Sequence, residues 1–549
     1  MVRTSRALGA VAALLVWQSV FAATEPVHAQ ARIYVNTTQD LPPDDSHCLP
    51  GKVCTLRAAV EKAESFSGGA VITACYDPAV VANAAPCRGP GAQPLKADDP
   101  GYDSATNKWV LRLRPAALPF DLTENGTTID FRLGVDPWSS PADAHFVVEA
   151  SGGTHQFAFK VESHDNQIAG IEIRGEYAES AILLQDDFFG TGAVNNTIGP
   201  GNIFADISSG NGIKIKDAAS VGNKVIGNWC GITGDGSTLA PVAEDCVFVL
   251  DDTAQNTIGG PTEADRNVFA ASRLGVGVKI QGPGTRNITV EGNWFGVDAT
   301  GERSGDLRSG ILVVSGAFRT RIADNLVASS ANDGIVVFDA SGETTIEGNA
   351  VGVAADGTAC LGNGAHGIAL QHGPQDAVVK RNVVRCNRAG GILIAGASSR
   401  NNQLSENRIS ANGGGAINIV QGANSNLRPP SITSHDSLHI AGATCAGCVV
   451  EVFSDPNGQA DHFEGRVVAD GTSGTWRFSP SGAFAHRTLT TTATDGKTTS
   501  ELSAFVIQSG ATPTPARPTP TPEPGKTGVP LFVSILHLPW AGHGAWQAP

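Results

Sequence analysis

Through the middle of the chain, apolar residues alternate in short phrases of the form Gly-Ile-x-Ile, and no helix-length apolar stripe lies between them. The phrases run Gly212-Ile213-Lys214-Ile215, Gly277-Val278-Lys279-Ile280, Gly310-Ile311-Leu312-Val313, Gly334-Ile335-Val336-Val337, Gly367-Ile368-Ala369-Leu370 and Gly391-Ile392-Leu393-Ile394, with weaker copies starting at Ile182, Val247 and Ile417. Successive starts are separated by 31, 34, 31, 33, 24, 33, 24 and 25 residues. Repeats of this length stack as a solenoid, each burying its apolar edge against its neighbours. An Asn follows most phrases at a nearly fixed distance: Asn228, Asn293, Asn325, Asn349, Asn382 and Asn407. Apolar residues sit three before it (Val225, Val290, Ile322, Ile346, Val379, Leu404) and two after it (Cys230, Phe295, Val327, Val351, Val384, Ile409). We expect these Asn residues to turn corners in the left-handed conformation, and the phrase glycines to turn the next ones. Three short strands and three corners per coil predict an all-β fold: a right-handed parallel β-helix with coils about 4.8 Å apart. The longer intervals carry inserted loops.

The flanks differ from this grammar. Arg3 and Arg6 precede an apolar run, Leu8 to Val20, with small-residue cleavage options after Ala22 or Ala29, so 1–29 is expected to be a secretory signal. Arg32-Ile33-Tyr34-Val35 predicts a first strand, and Leu56, Ala59, Val60 and Ala63 fall at helical spacing. That short helix would cap the open end of the solenoid. After Pro429-Pro430, alternation at 449–453, 474–478 and 489–493, with an Asp455-Pro456-Asn457-Gly458 turn, predicts a small antiparallel β-sandwich over 429–508. Residues 509–528 form a Pro/Thr-rich linker, and 529–549 a short apolar tail, too short to span a membrane.

Ten cysteines fall into neighbouring pairs, which we read as Cys48–Cys54, Cys75–Cys87, Cys230–Cys246, Cys360–Cys386 and Cys445–Cys448. Against 38 basic residues stand 53 acidic ones, a net charge of −15, which argues against nucleic acid and anionic membranes as partners. Cations, neutral glycans and basic surfaces stay open. We expect a monomer.

Cys54-Thr55-Leu56-Arg57-Ala58-Ala59, followed by Gly69-Ala70-Val71-Ile72, Ala117-Leu118-Pro119 and Thr127-Thr128-Ile129-Asp130, resembles the N-terminal module of exported bacterial proteins named for a Cys-Ser-Leu-Arg-Glu-Ala motif. Thr55 stands for the motif's Ser and Ala58 for its Glu; the module would occupy 30–150. The coils at 151–428 resemble the pectin-lyase-like superfamily, and 429–508 is similar to bacterial immunoglobulin-like modules. These resemblances imply architecture strongly and activity weakly, because the superfamily holds enzymes, adhesins and silent repeats.

Four constellations carry chemistry. Aligned on the phrase, the fourth residue after each start gives a column that includes Asp186, Asp217 and Asp251, a possible Ca²⁺ site. The resemblance to pectate lyases implies that Lys214 or Lys216 would then act as base; ordinary turn Asp and surface Lys residues are the competing reading. Asp339 and His372 share the same column on adjacent coils, a possible acid–base pair or a solvated turn. Trp229 and Trp294 follow the aligned Asn and could stack on sugar rings or pack under their own loops. Leu312, Val314, Val336, Phe338 and Leu393 form an outward apolar column, either covered or a docking face. Neither Asn-Thr-Asp nor Arg-Ile-Lys is present, and Gly-x-Ser-x-Gly, His-Glu-x-x-His and phosphate-binding loops are missing too. The reading favoured is an exported, surface β-helix protein with a binding or structural role toward polysaccharide. The alternative is a calcium-dependent polysaccharide lyase or related glycan-active enzyme.

Overall fold

In the computed structural model, residues 30–508 are described, apart from 43–47, 82–83, 85–86, 89–91, 116, 134–143 and 153–154. The expected signal (1–29), linker and apolar tail lie outside these residues. The chain coils into a parallel β-helix. One face is a 12-stranded sheet that starts with Ala31–Val35 and ends with Gln403–Ser405. The phrase strands form another face in unbroken register: Ile182 pairs with Ile213, then Val247, Val278, Ile311, Ile335, Ile368, Ile392 and Ile417. The second and fourth residues of each Gly-Ile-x-Ile phrase point into one continuous core.

The corners differ from expectation in a physically informative way. The aligned Asn residues are not left-handed; the residue before each of them is, at Gly227, Gly292, Asp324, Gly348, Arg381 and Glu406 (φ 53–71°). The Asn side chain instead turns inward, where a buried amide must find partners. It finds them in the neighbouring coils. Asn202, Asn228, Asn267, Asn293, Asn325 and Asn349 form an amide ladder, each Nδ2 donating to the next Oδ1 at 2.5–3.1 Å. A second ladder, Asn166–Asn196–Asn223–Asn256, runs at 3.0–3.1 Å. A third joins Asn363, Asn387 and Asn412. The phrase glycines are not left-handed either. A Cβ at Gly277, Gly310, Gly367 or Gly391 would collide with Phe295, Val327, Val384 or Ile409, so glycine is required by close approach.

Both ends of the solenoid are covered. The helix Leu56–Ala63 is N-capped by Thr55, whose Oγ1 accepts from Ala58 N at 3.1 Å. Leu56, Ala59, Val60 and Ala63 join the core of the first coils. Arg57 donates to both oxygens of buried Asp40 (2.8 and 3.2 Å) and to the Leu118 carbonyl (2.9 Å), tying the helix to two loops. At the other end stand two antiparallel sheets. Ser431–His435, Ile440–Ala443 and Thr475–Phe478 form one; Val449–Ser454, His462–Val468 and Thr488–Asp495 form most of the other. Ile440, Val450, Val452, Trp476 and Leu489 fill the space between them. This sandwich supplies partners for the last coils. Ile409 and Ala460 exchange backbone hydrogen bonds (2.9 and 2.8 Å), Leu404 N donates to Thr499 Oγ1, and Ile419 N donates to Glu501 Oε1. All five cysteine pairs form as spacing predicted. Among the described residues no helix is long and apolar enough to cross a membrane.

Two predictions follow from these contacts. Asn293→Ala would strand the Asn267 amide and the peptide groups that Asn293 serves, lowering stability by about 3 kcal/mol in a urea titration. Glu451 lies at the sandwich–solenoid junction, accepting from Ser405 Oγ (2.6 Å) and Glu406 N (2.9 Å). Burial raises its carboxyl to about 7. A raised folded-state value means that this contribution, on the order of 3 kcal/mol, is complete below the ordinary glutamate range and lost as pH rises through about 7. Thermal unfolding should therefore show the junction weakening in the wild type as pH rises from the ordinary glutamate range to about 7 and levelling off above it, with the dependence absent in Glu451→Gln.

Candidate functional site

Two columns run along the phrase face. One lies a residue after each start: Lys214, Phe248, Lys279, Leu312, Val336, Ala369, Leu393 and Asn418 in register. The other lies two residues before it and includes Asn211, Asp245, Ser309, Asp333, His366 and Gly390. The second column is largely buried, yet Asp245 Oδ2 approaches Lys279 Nζ of the first to 4.0 Å.

At the N-terminal half of this strip, Phe248 lies between two ammonium groups. Lys214 Nζ is 5.5 Å and Lys279 Nζ 4.6 Å from its ring centroid. Lys214 also donates to Glu179 at 2.9 Å, and Lys216 stands 4.0 Å from the same carboxylate. Burial lifts the Asp245 carboxyl to about 6; Lys279, the Val276 N–H and Arg308 oppose this, and Glu244 adds to it. Three ammonium groups share two carboxylates here, so the strip is largely charge-compensated and rich in fixed donors and acceptors. At the C-terminal half, Asp333 and His366 pair on adjacent coils, His366 Nδ1 lying 3.2 Å from Asp333 Oδ1. Val336 and Ala369 beside them are buried and Leu393 nearly so, which accounts for part of the expected apolar column.

The expected site residues fare differently. Asp186, Asp217 and Asp251 follow in register from Leu184, Ile215 and Val249, so the column exists. Its residues turn the corner: Asp217 and Asp251 are left-handed (φ 74° and 53°). Asp186 accepts from Ser220 Oγ at 3.1 Å and Ala219 N at 3.4 Å, and Asp217 accepts from Asp186 N at 3.3 Å. Burial, with the Asp186 and Asp251 charges adding to it, raises the Asp217 carboxyl. Among the described residues no three His, Cys, Asp or Glu side chains gather so as to hold a metal. Asp339 and His372 are also left-handed corner residues (φ 53° and 58°), and His372 packs on Phe338 with ring centroids 4.7 Å apart. The carboxylate–imidazole pair occurs six residues earlier in the same two coils, at Asp333 and His366. The position two before each phrase start, in register on the same alignment, is the sequence signal for this pair.

Trp229 and Trp294 are half-buried under inserted hairpins rather than displayed. A Cβ at Gly236 would lie 3.2 Å from the Trp229 ring and one at Gly301 2.9 Å from the Trp294 ring. The hairpins stack through Ala299 N to Gly236 O and Ala355 N to Gly301 O, both 2.9 Å. Arg266 covers Trp294 at 4.3 Å from its centroid. Trp294→Ala should therefore lower stability by about 2–3 kcal/mol on denaturant unfolding, with no loss of retention on any glycan that the wild type binds.

The family model described as a right-handed β-helix region matches residues 352–429. No curated protein sequence matches the chain. Among solved structures, the chain is similar to the periplasmic alginate epimerase AlgG at 15% identity and a TM-score of 0.30, covering 54% of this chain and 65% of that one, just under two thirds. It is similar to the A-module of the Azotobacter vinelandii mannuronan C-5 epimerase AlgE6 at 10% identity and a TM-score of 0.33, over 67% of this chain and 90% of that one. A variant tailspike protein of E. coli bacteriophage HK620, in complex with a pentasaccharide, aligns at 11% identity and a TM-score of 0.36, over 87% and 94% of the two chains. The chemistry of the site rests on its own residues.

Proposed function

We propose that the protein is an exported β-helix scaffold that binds a neutral polysaccharide along the strip running from Lys214 to Asn418. The observation that carries this reading is the Lys214–Phe248–Lys279 stack with its counter-charges Glu179 and Asp245. The ring pins two long side chains that would otherwise lose rotamer freedom on binding, leaving a row of ordered ammonium and carboxylate groups. Charged donors and acceptors hydrogen-bond hydroxyls strongly, and the coil spacing of about 4.8 Å repeats them along a straight line, as an extended sugar chain repeats its hydroxyls. A chain of net charge −15 disfavours a polyanion, and Glu179 and Asp245 offset most of the local lysine charge that would capture one. Export is supported by the five disulfides, which persist in oxidising compartments. The N-terminal helix module, the coils and the terminal sandwich are then cap, binding surface and spacer.

The test is retention on a panel of neutral and acidic polysaccharides. A neutral glycan should be retained even at about 1 M salt, where screening acts within about 3 Å. Phe248→Ala, which frees both lysines, should weaken retention about tenfold while leaving the melting temperature near wild type. Retention should also fall as pH drops through about 6, because protonated Asp245 releases Lys279, and Asp245→Asn should abolish this pH dependence. Binding only to polyanions, lost in salt, would overturn the reading.

A further inference from the structure

Between the helix Leu56–Ala63 and the segment leading into Phe120 and Asp121 lies a cavity of about 240 Å³. It belongs to the N-terminal cap, three coils before Lys214 in register, and stands outside the strip given to the polysaccharide. Val60 and Phe120 are buried beneath it and Leu118 is exposed at its rim, so its middle is apolar. Arg57 near the start of the helix and Glu64 at its C-cap lie two turns apart on one face, about 10 Å along the axis.

The two ends carry opposite charge. At one, Arg57 spends Nε and Nη2 on Asp40, and Arg114 reaches the same carboxylate only at 3.5 Å, with its own side chain 43% exposed. Two guanidinium groups thus share one buried carboxylate. At the other end, Glu64 accepts from the Thr123 hydroxyl at 2.9 Å, a contact that brings no charge. Asp121 lies 3.6 Å from Lys160, but that ammonium is closer to Glu162, at 2.8 Å. Burial raises the Asp121 carboxyl; Lys160 opposes this, and the Glu162 and Glu64 charges add to it. Glu61, exposed one turn after Arg57, makes the lining acidic in sum.

A simple anion would meet three carboxylates here, and a polycation would meet two guanidinium groups. An α-amino acid carries both its charges on one carbon and cannot reach both ends. We propose that this cavity binds a zwitterion whose carboxylate and ammonium are held apart by an extended aliphatic chain, as in an ω-amino acid or the C-terminal lysine of a peptide. The carboxylate pairs with Arg114, the chain lies over Val60 and Phe120, and the ammonium sits between Glu64 and Asp121. The volume, below the roughly 300 Å³ at which pockets for larger ligands begin, admits one such chain. Because the lining is acidic in sum, the ammonium is the stronger anchor, and Arg114 tells the zwitterion from a simple amine.

The full-length protein is titrated calorimetrically with 6-aminohexanoate, hexylamine and hexanoate, and with a peptide ending in lysine and its C-terminal amide. A single molecule of 6-aminohexanoate should bind per chain, about tenfold more tightly than hexylamine, and hexanoate should not bind. Arg114→Gln should bring 6-aminohexanoate down to the affinity of hexylamine and leave hexylamine unchanged, whereas Asp121→Asn should weaken both about tenfold. That split, at a melting temperature near wild type, is one that a loosened fold would not give; if Asp121→Asn lowers melting, Glu64→Gln supplies the same comparison. A lysine-ending peptide that binds as tightly as 6-aminohexanoate, and fails once amidated, supports the proposal with a polypeptide terminus as the source. Binding of the small molecule alone supports it with a free ω-amino acid. Hexylamine binding as tightly as 6-aminohexanoate, no saturable binding of either, or affinities unmoved by Arg114→Gln would overturn it.

Discussion

Each coil of this protein is too thin to own a core, and the buried side-chain amides that pass from one coil to the next are what make a stack of them possible. An Asn placed inward at a corner is a liability in isolation, because its amide and the peptides of the turn would be stranded away from water. In the ladder, each Oδ1 takes the amide of the previous coil and, at Asn228 and Asn293 among others, each Nδ2 also reaches a backbone carbonyl. The same groups that destabilise a lone coil therefore hold a stack in register. Register on the phrase face follows, since a coil that slipped by one residue would break every rung and expose its aliphatic residues.

That fixed register gives the outer strip its character. Residues far apart in sequence stand in straight columns, and whatever occupies a given offset from the phrase start is brought beside its counterparts. Lys214, Phe248 and Lys279 become a stack in this way, and Asp333 and His366 become a pair. A rigid, repetitive backbone is suited to such a strip because its side chains need little reorganisation on binding.

A solenoid also carries a problem at each end, where strand edges are left unpaired. Here the two ends are solved differently. The N-terminal helix plugs the core with Leu56 and Val60, and is fastened by the Arg57–Asp40 pair. The C-terminal sandwich lends backbone and side-chain acceptors to the last coils, burying Glu451 at the junction. Motif residues that suggested a family in the sequence, Cys54, Thr55 and Arg57, thus have plain structural duties: a disulfide, a helix cap and an ion pair.

By itself the sequence determined the β-helix, its register, the capping helix, the terminal sandwich and the cysteine pairs, because period, alternation and turn chemistry are local or repetitive signals that survive in one dimension. It also located the Asp186–Asp217–Asp251 column and named Lys214, but could not say how their side chains were spent. Only the tertiary structure decided that the corner residue is the one before each Asn, since a buried amide is worth more inward than a left-handed backbone is outward. Only the fold decided that Trp229 and Trp294 lie beneath hairpins, because the direction in which an inserted loop folds back depends on its neighbour two coils away. The Asp333–His366 pair was hidden for a related reason: a buried carboxylate that meets an imidazole of the next coil is a property of side-chain packing, not of spacing along the chain.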